Sequence, residues 1–265
     1  EILFEGADED IYKTVDNVSL DLVDDIKEDF VFLLVGQWGN GGYGEDRKDI
    51  GKTIKVFCEA FANKKDKPSL LLKTSGASYS IIDREECLKK IKDVKSQFPT
   101  DWDLPNIYLL HGELTDEEIN KLYNHSKIKC MVSLTHGEGF GRPLLEASMT
   151  GLPIIASGWS GQTDFLDPKL TILLPGEIKQ VPKSVVWKDI ILEQSSWFVA
   201  NENSFYKSLN HVHKNLEDSK ELAVKLMNTN RDKFTLKNME TKLDEIMQKY
   251  MKNVPEQVSL KLPKL

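Results

Sequence analysis

The sequence predicts an α/β fold: a doubly wound parallel sheet covered by helices on both faces, with extra helices at its C-terminal end. Two observations carry this. Short apolar runs alternate with stretches of helical apolar spacing as far as about residue 200, and only helical spacing remains beyond it. Runs such as Val31-Phe-Leu-Leu-Val35 are apolar at every position, as strands buried on both faces are.

The elements follow in order. Val31–Val35 leads into a glycine-laden stretch, and Ile50, Ile54, Phe57, Cys58 and Phe61 then recur at helical spacing. Leu70-Leu-Leu72 is the second strand, and Cys87, Leu88, Ile91, Val94 and Phe98 mark the next helix. After a third strand at Ile107-Tyr-Leu-Leu110, Thr115-Asp-Glu-Glu118 has the form of a capping box and opens a helix with Ile119, Leu122 and Tyr123 inward. Cys130-Met-Val-Ser-Leu134 is the fourth strand, with Pro143 at the start of a helix. Pro153-Ile-Ile-Ala156 and Leu170-Thr-Ile-Leu-Leu174 complete the strands. Two apolar stripes follow, Phe205, Leu209, Val212 and Leu216, then Leu236, Met239, Leu243, Ile246, Met247 and Tyr250. Residues 253–265 have two prolines and little periodicity and read as a tail or docking strap.

With 265 residues, 40% hydrophobic and 29% charged, the chain can bury a substantial core. Lys+Arg 35 against Asp+Glu 42 leaves a formal charge of −7, which argues against a nucleic-acid partner held by broad phosphate neutralisation but leaves room for a local basic site. No apolar run approaches the ~20 residues of a membrane span. The acidic balance gives no pull toward anionic lipid, and contact with a membrane stays open. Three scattered cysteines fit a reducing, cytoplasmic setting better than a disulfide framework or a zinc site. The chain begins at Glu1, not Met, as a piece of a longer protein would.

Ligands of open parallel sheets bind beyond the carboxyl ends of the strands, and three such ends carry chemistry. The first strand ends in Gly36-Gln37, and residues 39–44 match G-x-G-x-x-G. Glu45-Asp-Arg-Lys-Asp then intervenes before the apolar periodicity begins, which argues against a nicotinamide dinucleotide site. A loop bringing Arg47 and Lys48 to a phosphate at a helix N-terminus suits the residues better, against the plainer reading of two solvated cations. After the fourth strand comes His136-Gly137-Glu138-Gly139-Phe140-Gly141-Arg-Pro143-Leu-Leu-Glu146. Its glycines let backbone N–H groups approach a ligand, and the helix after Gly141 presents a positive end suited to a diphosphate. Glu138 and Glu146 suit sugar hydroxyls rather than phosphate, since an ionised carboxylate only accepts hydrogen bonds; the plainer reading is two solvated glutamates at a helix start. Ala156-Ser-Gly-Trp-Ser-Gly161-Gln-Thr-Asp164 is the third end, explained nearly as well by a turn and a helix cap. His111 and His136 at strand ends, and Trp38, Trp159 and Trp197, fit structural roles before ligand contact.

The stretch Glu138-Gly-Phe-Gly-Arg-Pro-Leu-Leu-Glu146-Ala-Ser-Met-Thr-Gly-Leu-Pro-Ile-Ile-Ala-Ser157 closely resembles the Glu-x7-Glu signature of retaining GT-B-fold glycosyltransferases of family 4. Leu110-His-Gly-Glu-Leu-Thr-Asp-Glu-Glu-Ile-Asn-Lys-Leu-Tyr123 is similar to the segment before that signature, and Gly6-Ala-Asp8 looks like the family's interdomain linker. The resemblance is specific around 107–166. It implies a Rossmann-like domain, one half of a GT-B fold, binding the donor nucleotide sugar without the N-terminal acceptor half, which would be supplied in cis or in trans. The implied division is linker 1–25, donor-binding domain 26–200, C-terminal helices 201–252 and tail 253–265.

Carried over residue by residue, the resemblance assigns Glu146 to the ribose hydroxyls and Glu138 to the transferred hexose. Gly139, Phe140 and Gly141, with Gly137, would offer main-chain donors to sugar and diphosphate. Lys48 would neutralise the leaving diphosphate, and the backbone of Gly112, Glu113 and Leu114 would touch the base. The family usually has Arg after the first-strand glycine, where this chain has Gln37 beside Gly36; Arg47 supplying that charge and a rearranged diphosphate site are both open. The implied reaction transfers a sugar from a nucleoside diphosphate sugar to a sugar or glycan acceptor with retention, without a metal or a further cofactor. The alternative is a non-catalytic nucleotide-sugar-binding module.

Overall fold

In the first strand, Phe32 and Leu34 turn to one face of the sheet and Val31 and Leu33 to the other, and each pair is buried in a separate apolar cluster. This is why the run is apolar throughout. The structure, a computed structural model, describes residues 1–39 and 43–251. Strands β1 (Val31–Val35), β2 (Ser69–Lys73), β3 (Ile107–Leu110), β4 (Ile128–Ser133), β5 (Ile154–Ser157) and β6 (Ile172–Leu174) form one parallel sheet in the order β3-β2-β1-β4-β5-β6. The winding reverses between β1 and β4, which opens a crevice beyond their carboxyl ends. Both glycine-bearing loops singled out in the sequence leave the sheet there.

Helix α1 (Asp21–Asp24) precedes β1, helices α2 (Ile50–Phe61), α3 (Ile81–Lys95), α4 (Asp116–Asn124) and α5 (Arg142–Ser148) connect the strands, and α6 (Glu202–Lys214), α7 (Leu216–Lys233) and α8 (Leu236–Tyr250) follow them. Ile54, Phe57 and Phe61 of α2 pack on Phe32 and Leu70 together with Phe205 and Leu209 of α6. Leu144 and Leu145 of α5 cover the opposite face, with Met131 and with Leu226 of α7. The expected capping box is present at α4: the Glu118 N–H donates to Thr115 Oγ1 at 3.2 Å, and the Thr115 N–H donates to Glu118 Oε2 at 2.8 Å.

Four features differ from the sequence reading. Helix α3 begins at Ile81, ahead of the Cys87 stripe, because Ser80 caps it by accepting the Asp83 N–H; Ile81 and Ile82 are exposed and add nothing to the stripe. Strands β7 (Gly176–Gln180) and β8 (Ser196–Ala200) form a separate antiparallel pair that no apolar alternation announced, every residue of β7 being exposed. Helix α7 was not anticipated, since it buries only Ala223, Leu226 and Asn230. The stripe Leu236–Tyr250 is helix α8, none of whose residues is buried; the N-terminal segment reaches it through the Ala7–Thr235 bridge. The tail 253–265, and part of the G-x-G-x-x-G match, lie outside the described residues. No helix of the described residues is long and apolar enough to cross a membrane.

Candidate functional site

The site begins with the way α2 is started. Asp49 precedes it in the left-handed region (φ 52°) with no side-chain cap of its own, and the buried carboxylate of Asp46 fills that role. Asp46 accepts the backbone N–H groups of Lys48 at 3.1 Å and Ile50 at 3.2 Å, satisfying donors that a helix start leaves open. The main chain of the next loop is tied to this turn, with the His136 N–H donating to Arg47 O at 2.9 Å.

That tie brings three predicted residues together. Glu138 Oε1 meets Lys48 Nζ at 2.5 Å, and Glu138 Oε2 meets Arg47 Nη1 at 3.1 Å. The same Arg47 nitrogen donates to Gly137 O at 2.9 Å. Burial pushes the Glu138 carboxyl up, but the ammonium of Lys48, seconded by Arg47, outweighs it and holds the group below the usual range. Burial pulls Lys48 down, against the opposing charge of Glu138. Gly36 makes room for the lysine stem: a Cβ there would lie 3.2 Å from Lys48 Cδ and Cε.

Gly36 also lines a cavity of about 460 Å³ beyond the tips of β1 and β2, with Gln37, Lys73, Tyr79, Glu113 and Leu114. Gln37 donates through Nε2 to Gly76 O at 2.6 Å, so its amide braces the loop after β2. Lys73, which the sequence reading missed, donates to Gly112 O at 2.6 Å and fastens the loop after β3 from within. Gly112 holds φ +142° with open space around its missing Cβ.

On the other side, Gly141 (φ +100°) starts α5, and its carbonyl accepts the Leu144 and Leu145 N–H groups. Gly139 has no neighbour within 4 Å of a Cβ position. The Phe140 side chain is buried against Phe165 and leaves only its main chain to the site. Ser160 Oγ accepts the Glu138 N–H at 3.2 Å and donates to Glu138 O at 2.6 Å. Glu146 stands apart from the Lys48–Glu138–Arg47 cluster: it is buried, it pairs with Arg142 Nη2 at 3.2 Å, and burial lifts its carboxyl above the usual range.

Residues 44–177, about half of the chain, match the model of the family Glycosyl transferases group 1. The chain belongs to this glycosyl transferase family.

Solved structures share the fold of this group 1 glycosyl transferase. It is similar to sucrose-phosphate synthase from Thermosynechococcus elongatus (TM-score 0.65, 14% identity, 94% of this chain, 52% of that one). It is also similar to HepE from Anabaena in complex with UDP and glucose (TM-score 0.62, 12% identity, 94% of this chain, 57% of that one). A third is the C-terminal domain of the group 1 family protein LpcC from Francisella tularensis (TM-score 0.58, 15% identity, 87% of this chain, all of that one). The chain thus spans about half the length of the first two. No curated protein sequence matches it.

Behind its cation loop the transferase has a buried charged group that the sequence reading did not find. Asp49 Oδ2 lies 2.9 Å from Lys52 Nζ and 3.7 Å from His136 Nε2, and all three side chains are buried. His136 Nδ1 is 2.6 Å from the carbonyl of Phe198, which can only accept, so Nδ1 carries the proton. Burial lowers His136 to about 4, and its ring stacks on Trp197 at 4.1 Å, a structural role. His111 is likewise held, by Asp83 at 2.8 Å. Trp38 is buried and Trp159 stacks on Phe198.

Burial raises Asp49 from 3.8 to about 7, with Lys52 opposing. A carboxyl raised in the folded state contributes stability that is complete below its unfolded value and is lost as pH rises toward its folded one. Asn also tolerates the left-handed backbone. Asp49→Asn is therefore expected to flatten the decline of the urea midpoint between pH 3.8 and about 7. A variant with the wild-type slope over that interval would show that Asp49 contributes none of it.

Proposed function

We propose that this chain is the donor-binding half of a retaining glycosyltransferase of family 4, acting in the cytoplasm. Its donor is a nucleoside diphosphate sugar, and no metal or further cofactor takes part. An acceptor-binding half, in cis or in trans, presents a hydroxyl of a sugar or glycan. The observation that carries this reading is the convergence of Lys48, Arg47 and Glu138 at the crevice between β1 and β4, beside the start of α5.

The bond from the anomeric carbon to the diphosphate oxygen breaks with its electron pair going to the diphosphate. The acceptor oxygen bonds to the same carbon and its proton is released. Lys48, Arg47 and the N-terminal end of α5 stabilise the negative charge that grows on the leaving group. Glu138 accepts hydrogen bonds from the transferred sugar and Glu146 from the ribose. The base lies in the cavity edged by Gly36, Gln37, Glu113 and Leu114.

Calorimetric titration with UDP-, GDP- and ADP-sugars and with NAD tests the reading. One nucleotide sugar is expected to bind the isolated chain weakly and NAD not at all. Transfer is expected only once the acceptor half is present, because the hydroxyl must be held near the anomeric carbon. Binding of NAD in preference to every nucleotide sugar would overturn the reading. Donor binding without transfer or donor hydrolysis in the two-domain protein would leave a nucleotide-sugar-binding module.

A further inference from the structure

Glu138 engages both cations of the site through separate oxygens, at 2.5 Å and 3.1 Å. Its side chain and that of Lys48 are about one-tenth exposed, so water offers neither a good substitute for the other. The backbone of Glu138 is fixed at both ends, by Ser160 at its N–H and by Ser160 and the Gly161 N–H at its carbonyl. Only its side chain can leave.

A diphosphate group drawn to Lys48 and Arg47 therefore arrives where a carboxylate already sits. Like charges at that range repel strongly in a partly buried site. To admit the diphosphate, Glu138 must release its cations, and a carboxylate left buried without partners is costly. A bare nucleoside diphosphate gives it nothing in return. A nucleotide sugar does, because the sugar hydroxyls donate to the released carboxylate.

We infer that Glu138 is a specificity-determining residue, which favours a nucleotide sugar over the bare nucleoside diphosphate by competing with the latter for Lys48 and Arg47. The inference rests on the donor-site reading above. It gives the residue a second task after transfer: with the sugar gone, Glu138 returns to its cations and helps expel the diphosphate product.

The experiment is calorimetric titration of the wild type and of Glu138→Gln with UDP and UDP-glucose, GDP and GDP-mannose, and ADP and ADP-glucose. Glutamine keeps the shape and removes the charge. For the pair that binds, the variant is expected to hold the bare diphosphate about tenfold more tightly, about 1.4 kcal/mol, without tighter binding of the nucleotide sugar. The ratio of the two affinities then falls, and inhibition of transfer by the diphosphate product rises. Glu138→Ala removes the same charge and serves if the glutamine variant does not fold. Bare-diphosphate affinity that is unchanged or weaker in a folded variant overturns the inference while leaving the donor site intact. If none of the six compounds binds the wild type, the donor-site reading fails and takes the inference with it.

Discussion

Replacing Lys48 with alanine is expected to lower turnover by about 10²–10³-fold, measured with the acceptor-binding half present. That is the loss expected for one preorganised cation facing charge that develops only in the transition state. Lys48 meets the geometric requirement, with its ammonium in the crevice, its stem over Gly36 and its backbone N–H held by Asp46. The fall should appear mainly in kcat, since in the proposed transfer the diphosphate is most negative as it leaves. The variant also leaves Glu138 with Arg47, whose side chain is half exposed. The lowered Glu138 carboxyl contributes stability that is present above its ordinary range and is lost as pH falls through its folded value. The stability gap between wild type and variant should therefore narrow in acid. Wild-type kcat in a folded Lys48→Ala enzyme would remove this residue from the chemistry.

Gly161→Ala is expected to be nearly as damaging without touching a charge. A Cβ at this position would stand 2.2 Å from Gly139 O and 2.7 Å from Phe140 Cα, and both neighbours are main chain that cannot rotate aside. Such overpacking costs about 1–3 kcal/mol, seen as a lower urea midpoint. The segment that must yield carries Glu138 and Gly141, and a displacement of ~1 Å in positioning groups can reduce turnover by about 10²-fold. Gly139→Ala is the control, because its Cβ meets nothing within 4 Å and stability should change by less than about 0.5 kcal/mol. Equal destabilisation by the two substitutions would show that the contact at Gly161 is not what limits this loop.

The central strand was legible because burial on both faces leaves it apolar throughout; Val31–Val35 needed no partner to be recognised. The start of helix α4 was legible through the reciprocal bonds of Thr115 and Glu118. Helix α7 and the β7–β8 pair were not, because a helix that buries three side chains and a strand that buries none leave no periodic trace. In the site, Arg47, Lys48, Glu138 and the glycines stood out by residue type in loops at strand ends. Their mutual distances depend on the order of β1 and β4 in the sheet, which no single sequence displays. Asp46, Lys73 and Asp49 were missed for a related reason: each is a polar side chain whose importance comes from burial, and their partners at Ile50, Gly112 and His136 are set by the fold.

His136 joins three remote parts of the chain. Its N–H reaches Arg47, its carbonyl receives the Phe198 N–H, and its ring holds the Phe198 carbonyl. The cation-bearing turn, the acid-bearing turn and the β7–β8 ribbon are thereby coupled into one mechanical body. A ribbon outside the parallel sheet is thus the common anchor of both turns at the crevice, so that the cations and the acid hold their spacing through a strand pair that contributes no side chain to them.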